Sequence, residues 1–369
     1  MKARQYNAKE VGKEIIHIFP GKKYHLSPAI AYSYVEKIPQ FNHVIVLYGR
    51  NINRDRYRNE FKSLDYRKCI FIENVYSFIV FIIKHKRNVI IFHGGVYWQM
   101  FVCIASFCRS VNWVCWGSGC NKPVSFIGRK IGWLKRFIYK RLDKIVVLMT
   151  PDKVSLETNY RVPADKIQVI PYMRGRAEKV NKIYNDLRQK HVFAESGKVL
   201  VLLGNNNFSK KSYIDLIKRL SVYRGKISVQ CMLHYSLDKD EDYNELLRIG
   251  REVFGDDFRS NEEFYEKFED YVRYMNKCDI YICGVEKQTG LGAIGTCLRL
   301  GKKVYITGNN YDWITSNYHA KVFRSDDIKE NLPFEEFAKD LTFEERESNY
   351  NCMNQKDTME LWKSWLSNC

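Results

Sequence analysis

The sequence predicts an α/β protein built as two doubly wound domains. Three observations carry that reading. Short, almost unbroken apolar runs alternate with longer helix-like stretches, the pattern of βα units with strands buried on both faces. The alternation restarts in the second half after a strongly polar connection at 174–197. The 369 residues match two domains at roughly 100–200 residues each.

In the first half the apolar, β-branched runs place strands at 14–19, 43–47, 69–72, 88–92, 112–116 and 144–148. Helix-like stretches fall between them at 27–37, 74–86, 97–108, 124–142 and 151–159. The second half gives strands at 199–203, 227–233, 279–283, 303–307 and 320–323. Its helices are expected at 211–221, 240–254, 262–277, 291–300 and 334–346. A last helix, 357–366, carries Leu361, Trp362 and Trp365 on one face. The domains so defined are 1–175 and 176–350, with 351–369 as a terminal helical segment. Ligands of such folds bind at the carboxyl ends of the strands.

A hydrophobic fraction of 45% with 28% charged residues excludes a disordered or low-complexity chain. The net charge of +18 is unevenly placed. Residues 1–175 hold 30 Lys and Arg against 11 Asp and Glu, whereas 176–369 hold 30 against 31. The basic half calls for an anionic partner: nucleic acid, membrane or substrate. No apolar run approaches the ~20 residues of a membrane span, and the polar start has no secretory h-region. The 11 Cys lack C-x-x-C spacing and sit mostly among apolar residues, so buried reduced thiols and a cytosolic setting are expected.

Four stretches are candidates for chemistry. After the run ending at Cys283 comes Gly284-Val285-Glu286-Lys287-Gln288-Thr289-Gly290-Leu291-Gly292, a polar loop whose glycines open a helix. Backbone N–H groups and the positive helix end suit a phosphate there. Glu286 and Gln288 suit ribose or sugar hydroxyls, and Glu286 also stands as a catalytic candidate. Gly204-Asn205-Asn206, with Lys210 and Lys211 following, ends another strand and suits the opposite donor wall and phosphate neutralisation. Both loops are equally compatible with ordinary strand-to-helix turns. Phe92-His93-Gly94-Gly95 places His93 at a strand end as a base or acceptor-orienting group, or as a structural histidine. Trp116 and Gly117 close the next strand and would line the same cleft with Gly94 and Gly95. Residues 122–144 hold eight Lys and Arg, one acid and interleaved aromatics. Arg129, Lys130, Trp133, Lys135, Arg136, Lys140 and Arg141 thereby suit an anionic membrane surface, or a solvated helix face. Asp238-Lys239-Asp240 reads as a helix start, and no metal site is expected.

Six pieces in order resemble one family: Phe92-His93-Gly94, Trp116-Gly117, Gly204-Asn205, Cys278-Asp279 through Gln288, Gly290 with Gly292, and Asn310 with Trp313. They resemble the TDP-N-acetylfucosamine:lipid II N-acetylfucosaminyltransferases, glycosyltransferase family 56, most clearly over residues 88–320. The resemblance implies a GT-B fold of two Rossmann-like domains with a C-terminal helix crossing back. It implies a dTDP-sugar donor in the second domain, with Asn310 and Trp313 supporting its pocket, and an undecaprenyl-diphosphate-linked saccharide acceptor in the first. It implies no metal and no cofactor; no nucleic-acid partner is expected, since the sequence has no helix-turn-helix, zinc or RNP pattern. Where the family carries Ser after the Gly-Asn pair, this chain has Asn206, and Lys210-Lys211 stand where a Ser-Asn pair is usual. An O-antigen or capsule enzyme using a related deoxy or deoxyamino sugar is therefore implied as readily as a common-antigen enzyme. The expected place is the cytoplasmic face of a bacterial inner membrane, peripherally bound. The alternatives are a sugar-nucleotide epimerase on a GT-B-like fold and a basic nucleic-acid-binding protein.

Overall fold

A computed structural model describes residues 14–21, 34–50, 52, 54, 69–95, 97–117, 119–120, 126–171, 177–189, 197–204, 210–232, 241–261, 265, 268–328, 332–355 and 358–369. The chain divides into two compact units, 1–176 with 357–369, and 177–356.

The first unit holds a seven-stranded parallel sheet in the order β3-β2-β1-β4-β5-β6-β7. Its strands are β1 (Glu14–Pro20), β2 (Asn42–Tyr48), β3 (Cys69–Ile72), β4 (Val89–His93), β5 (Ser110–Cys115), β6 (Ile145–Val147) and β7 (Ile167–Val169). Helices α1 (Val75–His85), α2 (Tyr97–Ala105), α3 (Phe126–Arg141) and α4 (Thr150–Tyr160) connect them. Phe78, Ile82, Met100, Cys103, Ile138, Tyr139 and Leu156 from these four helices join one core with Ile16, Val46, Phe92 and Trp113 of the sheet. The opposite face buries Phe19, Ile45, Ile91 and Val114 under Tyr34, Ile38 and the C-terminal helix Thr358–Ser367. That helix docks through Trp362, Trp365 and Leu366, all fully buried, and Trp362 Nε1 donates to the Pro171 carbonyl at 2.8 Å. Its apolar spacing is thus explained by packing within the first unit.

The second unit holds a six-stranded parallel sheet, β10-β9-β8-β11-β12-β13. Its strands are β8 (Val199–Leu203), β9 (Ile227–Met232), β10 (Phe258–Asn261), β11 (Ile280–Cys283), β12 (Lys303–Ile306) and β13 (Phe323–Arg324). Around it lie α5 (Ala177–Gln189), α6 (Lys210–Leu220), α7 (Glu241–Phe254), α8 (Phe268–Asn276), α9 (Leu291–Arg299), α10 (Gly308–Trp313), α11 (Phe334–Ala338) and α12 (Phe343–Gln355).

Several expectations need correction. Part of the polar connection 174–197 is helix α5, with Tyr184 buried and hydrogen-bonding Thr296 Oγ1 at 3.3 Å. The strands β7 and β10 are edge strands of three and four residues, too short and too polar to register as apolar runs. The expected helix 334–346 is two helices. Thr342 and Glu345 form a reciprocal cap, Glu345 N donating to Thr342 Oγ1 at 3.2 Å and Thr342 N to Glu345 Oε2 at 3.0 Å. That capping box starts α12 afresh. Helix α8 is described from Phe268; of the expected 262–267 only Tyr265 is described, and it is not helical. Of 27–37 only 34–37 are described, and they are helical.

Candidate functional site

In each unit the sheet order reverses once, between β1 and β4 in the first and between β8 and β11 in the second. Connections leave such neighbours in opposite directions, which opens a crevice at their carboxyl ends. The expected site residues concentrate at these two places.

In the second unit β8 ends at Gly204, held by two bonds to the neighbouring strand. Its N–H donates to the Ile282 carbonyl at 2.9 Å, and its carbonyl accepts from Tyr281 Oη at 2.9 Å. Next to it, β11 runs into the loop 284–290. Gly290 is left-handed (φ 69°) and is the N-cap of α9, with no side-chain cap on the helix start. The first-turn N–H groups of α9 are therefore left to solvent or a ligand. Gly292 lies in that turn, and a Cβ there would meet nothing within 4 Å, so no packing demand explains the glycine. Glu286 is exposed, and its carbonyl accepts from Asn309 N at 3.0 Å. Gly308 opens α10 at φ 56°, and a Cβ there would stand 2.4 Å from the Glu286 carbonyl oxygen. Only glycine permits this approach of two backbones.

Asn310 is fully buried and ties the loop from below, its Nδ2 donating to the Thr289 carbonyl at 2.8 Å. Its Oδ1 and the Oε1 of Gln288 are buried acceptors without a hydrogen-bond partner. Two orphan amide oxygens beside an uncapped helix start are groups a polyhydroxyl ligand would satisfy. Trp313 is buried against the edge of Tyr318 and supports α10. Gly204, Glu286, Gln288, Gly290, Gly292, Asn310 and Trp313 thus lie on three strand-end segments of one sheet. Asn205 and Asn206 lie outside the described residues, as do the side chains of Lys210 and Lys211 on the first turn of α6. Asp238 and Asp240 are outside them as well.

In the first unit β4 ends at His93. Gly94 (φ 74°) turns the chain beneath Trp116, whose ring would stand 2.9 Å from a Cβ at that position. Trp113 Nε1 donates to the Gly94 carbonyl at 2.7 Å and Gly94 N to the Val114 carbonyl at 2.9 Å, so the turn is pinned to β5. A Cβ at Gly95 would make only ordinary contact with Tyr97, and Gly117 turns at φ 84° after Trp116.

His93 does not stand free as a base of near-neutral pKa. Its ring is fully buried, stacked on Phe19 at 4.0 Å, and burial pushes its pKa down to about 3. Its Nε2 faces His17 Nδ1 at 3.0 Å, and its Nδ1 has no partner. His17, on β1, and His43, on β2, were not singled out in the sequence because each sits in an apolar run and reads as strand.

Asp152 is a further group that sequence reasoning passed over. It stands in the first turn of α4, beyond the carboxyl end of β6, and is 4% exposed. Burial raises its pKa to about 7, and its Oδ2 lacks a partner. A Thr-Pro-Asp helix start is so common that only burial marks it out.

The basic helix α3 is divided. Trp133 is 69% exposed and Lys140 and Arg141 are exposed. Lys135 instead lays its ammonium 4.3 Å from the Tyr97 ring centre, and desolvation lowers its pKa. Arg136 is half-buried. Lys135 is therefore an inward-leaning member of the expected membrane set. The side chains of Arg129 and Lys130 lie outside the described ones.

Among the described residues no cluster of three or more His, Cys, Asp and Glu is placed to hold a metal ion, and no helix is long and apolar enough to cross a membrane. A cavity of about 160 Å³ opens at the opposite, amino ends of β8, β11 and β12. Two of its lining lysines are already engaged, Lys198 with Asp257 at 2.7 Å and Lys303 with the Phe337 carbonyl at 2.9 Å. It is unconnected with the strand-end loops.

Two parallel α/β domains with these sheet orders define the GT-B fold, and comparison with solved structures bears this out. The Anabaena protein Alr3699/HepE in complex with UDP superposes with a TM-score of 0.71 at 11% identity, over 96% of this chain and 100% of that one. A glycosyltransferase from Rickettsia africae matches with a TM-score of 0.61 at 16% identity, over 97% and 100%. The UDP-GlcNAc 2-epimerase of Neisseria meningitidis bound to UDP-GlcNAc matches with a TM-score of 0.53 at 12% identity, over 96% and 100%. No protein-family profile matches the chain, and no curated protein matches it in sequence.

Proposed function

We propose that this protein is a nucleotide-sugar-dependent glycosyltransferase. It transfers a deoxy or deoxyamino sugar, of the 4-acetamido-4,6-dideoxyhexose class, from a dTDP donor to a lipid-diphosphate-linked saccharide. The observation that carries the reading is the crossover end of the second sheet. There the uncapped start of α9 after Gly290 presents backbone donors, with orphan amide oxygens beside them. An anionic diphosphate is stabilised by such N–H groups as its bond to the sugar breaks. UDP, bound by the Anabaena neighbour, is a pyrimidine nucleoside diphosphate like dTDP. The deoxyamino sugar and the lipid acceptor rest on the family resemblance of the six sequence pieces. In this reading transfer needs no metal and no cofactor, and nucleic acid is not a partner.

The acceptor side falls to the basic first unit, held at the cytoplasmic face of a bacterial inner membrane. Support comes from the helical layer α1–α3, which covers one face of the sheet. Val75, Tyr76, Val80 and Ile83 of α1, Trp98 and Phe101 of α2, Phe107 and Trp133 are all exposed. Lys84 closes α1 and Lys140 with Arg141 closes α3. Apolar and aromatic side chains among basic ones suit an anionic bilayer surface.

The test is transfer from labelled dTDP- and UDP-sugars to a polyprenyl-diphosphate saccharide, with and without chelator. Transfer unaffected by chelator is the expected result. No transfer from any donor overturns the reading. The second reading, an epimerase, is favoured by the likeness to UDP-GlcNAc 2-epimerase. It predicts interconversion of free nucleotide sugars with no lipid present.

A further inference from the structure

Three imidazoles form one buried file across β4, β1 and β2. His93 Nε2 lies 3.0 Å from His17 Nδ1, and His17 Nε2 lies 3.0 Å from His43 Nδ1. His43 Nε2 then meets the Ile38 carbonyl at 2.9 Å. A carbonyl can only accept, so His43 Nε2 carries a hydrogen. In a neutral ring the other nitrogen is then bare, and His17 Nε2 must donate to it. That leaves His17 Nδ1 bare, and His93 Nε2 must donate in turn. The file therefore ends with a lone pair at His93 Nδ1.

Burial disfavours the charged form of an imidazole. All three are buried, at 0–2% exposure. Burial lowers the His17 pKa well below its ordinary value, and His43 and His93 lower it further. Phe19 stacks on His93, Phe41 stands edge-on to His43, and Tyr34 stacks on His17 at 4.6 Å. The C-terminal helix covers Tyr34 with Trp362. Among the described residues, the titratable groups packed here from other elements are Tyr34, raised well above its ordinary value by burial and then by Cys369, and Cys369, whose thiol burial pushes up to about 12. Both stay uncharged through the neutral range. No carboxylate bonds to His17 or His93 among the described residues.

We propose that His17 and His43 are positioning residues that hold His93 as its neutral Nε2–H tautomer, so that His93 Nδ1 is a fixed hydrogen-bond acceptor that orients a donor hydroxyl of the sugar acceptor. This rests on the transferase reading for the identity of the hydroxyl. It replaces a titrating base by a ring of fixed polarity. The place fits: His93 closes β4 at the crossover of the first sheet, where ligands of such sheets bind. The atom fits too, since its Nδ1 is a buried acceptor with no partner among the described residues. An unpaired buried acceptor is unfavourable, and a substrate hydroxyl removes that penalty.

The test is long-range ¹H–¹⁵N correlation on the full chain labelled with ¹⁵N-histidine, which reads the tautomer of each ring without any activity. His93 is expected as Nε2–H and unchanged through the neutral pH range. An Nδ1–H tautomer, or titration of His93 near neutrality, overturns the proposal. Substitution at His17 supplies the kinetic arm. H17Q offers an amide oxygen to His93 and an amide N–H to His43, so it keeps the polarity of the file and is expected to keep the tautomer and most of kcat. H17F breaks the file, and is expected to mix the His93 tautomers and lower kcat about 100-fold, the scale set by misplacing a reacting group, with KM little changed. Equal kcat in H17F and wild type overturns the positioning role. Should H17F fail to fold, the wild-type tautomer and the H17Q rescue still decide. A correct tautomer in a wild-type protein that transfers no sugar overturns the transferase reading and with it the orienting role, and leaves the tautomer assignment standing.

Discussion

The two units repeat one scaffold and line it differently. The orders β3-β2-β1-β4-β5-β6 and β10-β9-β8-β11-β12-β13 are the same walk through a parallel sheet, and each reverses beside its first strand. At the first reversal the polar equipment is side-chain rings, His93 on His17 on His43, sunk among Phe19 and Tyr34. At the second it is backbone, with Gly290 and Gly292 leaving the first-turn donors of α9 uncovered. The charge differs in the same sense: the excess of Lys and Arg belongs to residues 1–175, and the rest of the chain is near balance. A scaffold decides where loops converge. What converges there depends on whether the strand-end residues carry rings or no side chain at all.

Four experiments break or sharpen that contrast. The largest effect is expected at the C-terminal helix. Trp362→Ala removes a fully buried indole and its bond to Pro171, and should cost about 3–5 kcal/mol. Followed by hydrogen exchange, the loss of protection should fall on β1, β2 and β4 and spare β8–β12. Equal loss in both units contradicts a role for Trp362 confined to the first unit.

Asp152 gives the first unit a pH-dependent stability. Its folded pKa of about 7 exceeds the usual carboxylate value, so the folded state holds a proton that the unfolded state has released. Stability therefore declines as pH rises from about 4 to 7, by an amount on the order of 3 kcal/mol. Asp152→Asn should remove that decline in urea titrations across this pH range. A decline that persists unchanged in the variant assigns it to other groups.

Gly292→Asp tests the second unit alone. The position has open space, so the fold and Tm should be unaffected. A carboxylate in the first turn of α9 should weaken nucleotide-diphosphate binding by about 100-fold through like-charge repulsion and occupation of the helix start. Calorimetric titration with dTDP and UDP reads it, and unchanged affinity removes the diphosphate from this place.

The smallest effect is at the surface. Lys140→Glu should reduce binding to anionic vesicles by about 1 kcal/mol per charge removed from the lipid surface, more at low salt than at high. Trp133→Ser should weaken it independently of salt. Insensitivity of vesicle binding to both assigns the basic excess another role.

Much of this was legible in sequence. Among the described residues, eleven of thirteen strands are marked by apolar runs, because a parallel strand buried on both faces has no polar side to interrupt it. The missed β7 and β10 are edge strands, where that condition lapses. Helix α5 was hidden by polarity, since Tyr184 is a lone buried aromatic in a charged stretch. The break before α12 was written in Thr342 and Glu345, a capping pair at the correct spacing. The glycines of the 284–292 loop were legible for a similar reason: a strand end, a polar loop and a helix start follow in order.

By itself the sequence determined the fold class, the strand-end loops of the second unit and the uneven charge, because these are local or additive properties of the chain. Tertiary structure alone decided the character of the first unit's site. His17, His43 and His93 are separated by 26 and 76 residues, and only the pairing of β1 with β2 and β4 brings their rings into one file. The same burial that aligns them removes the charge one would expect of a lone histidine. Protonation and tautomer belong to the environment of a ring, and that environment exists only once the sheet has formed.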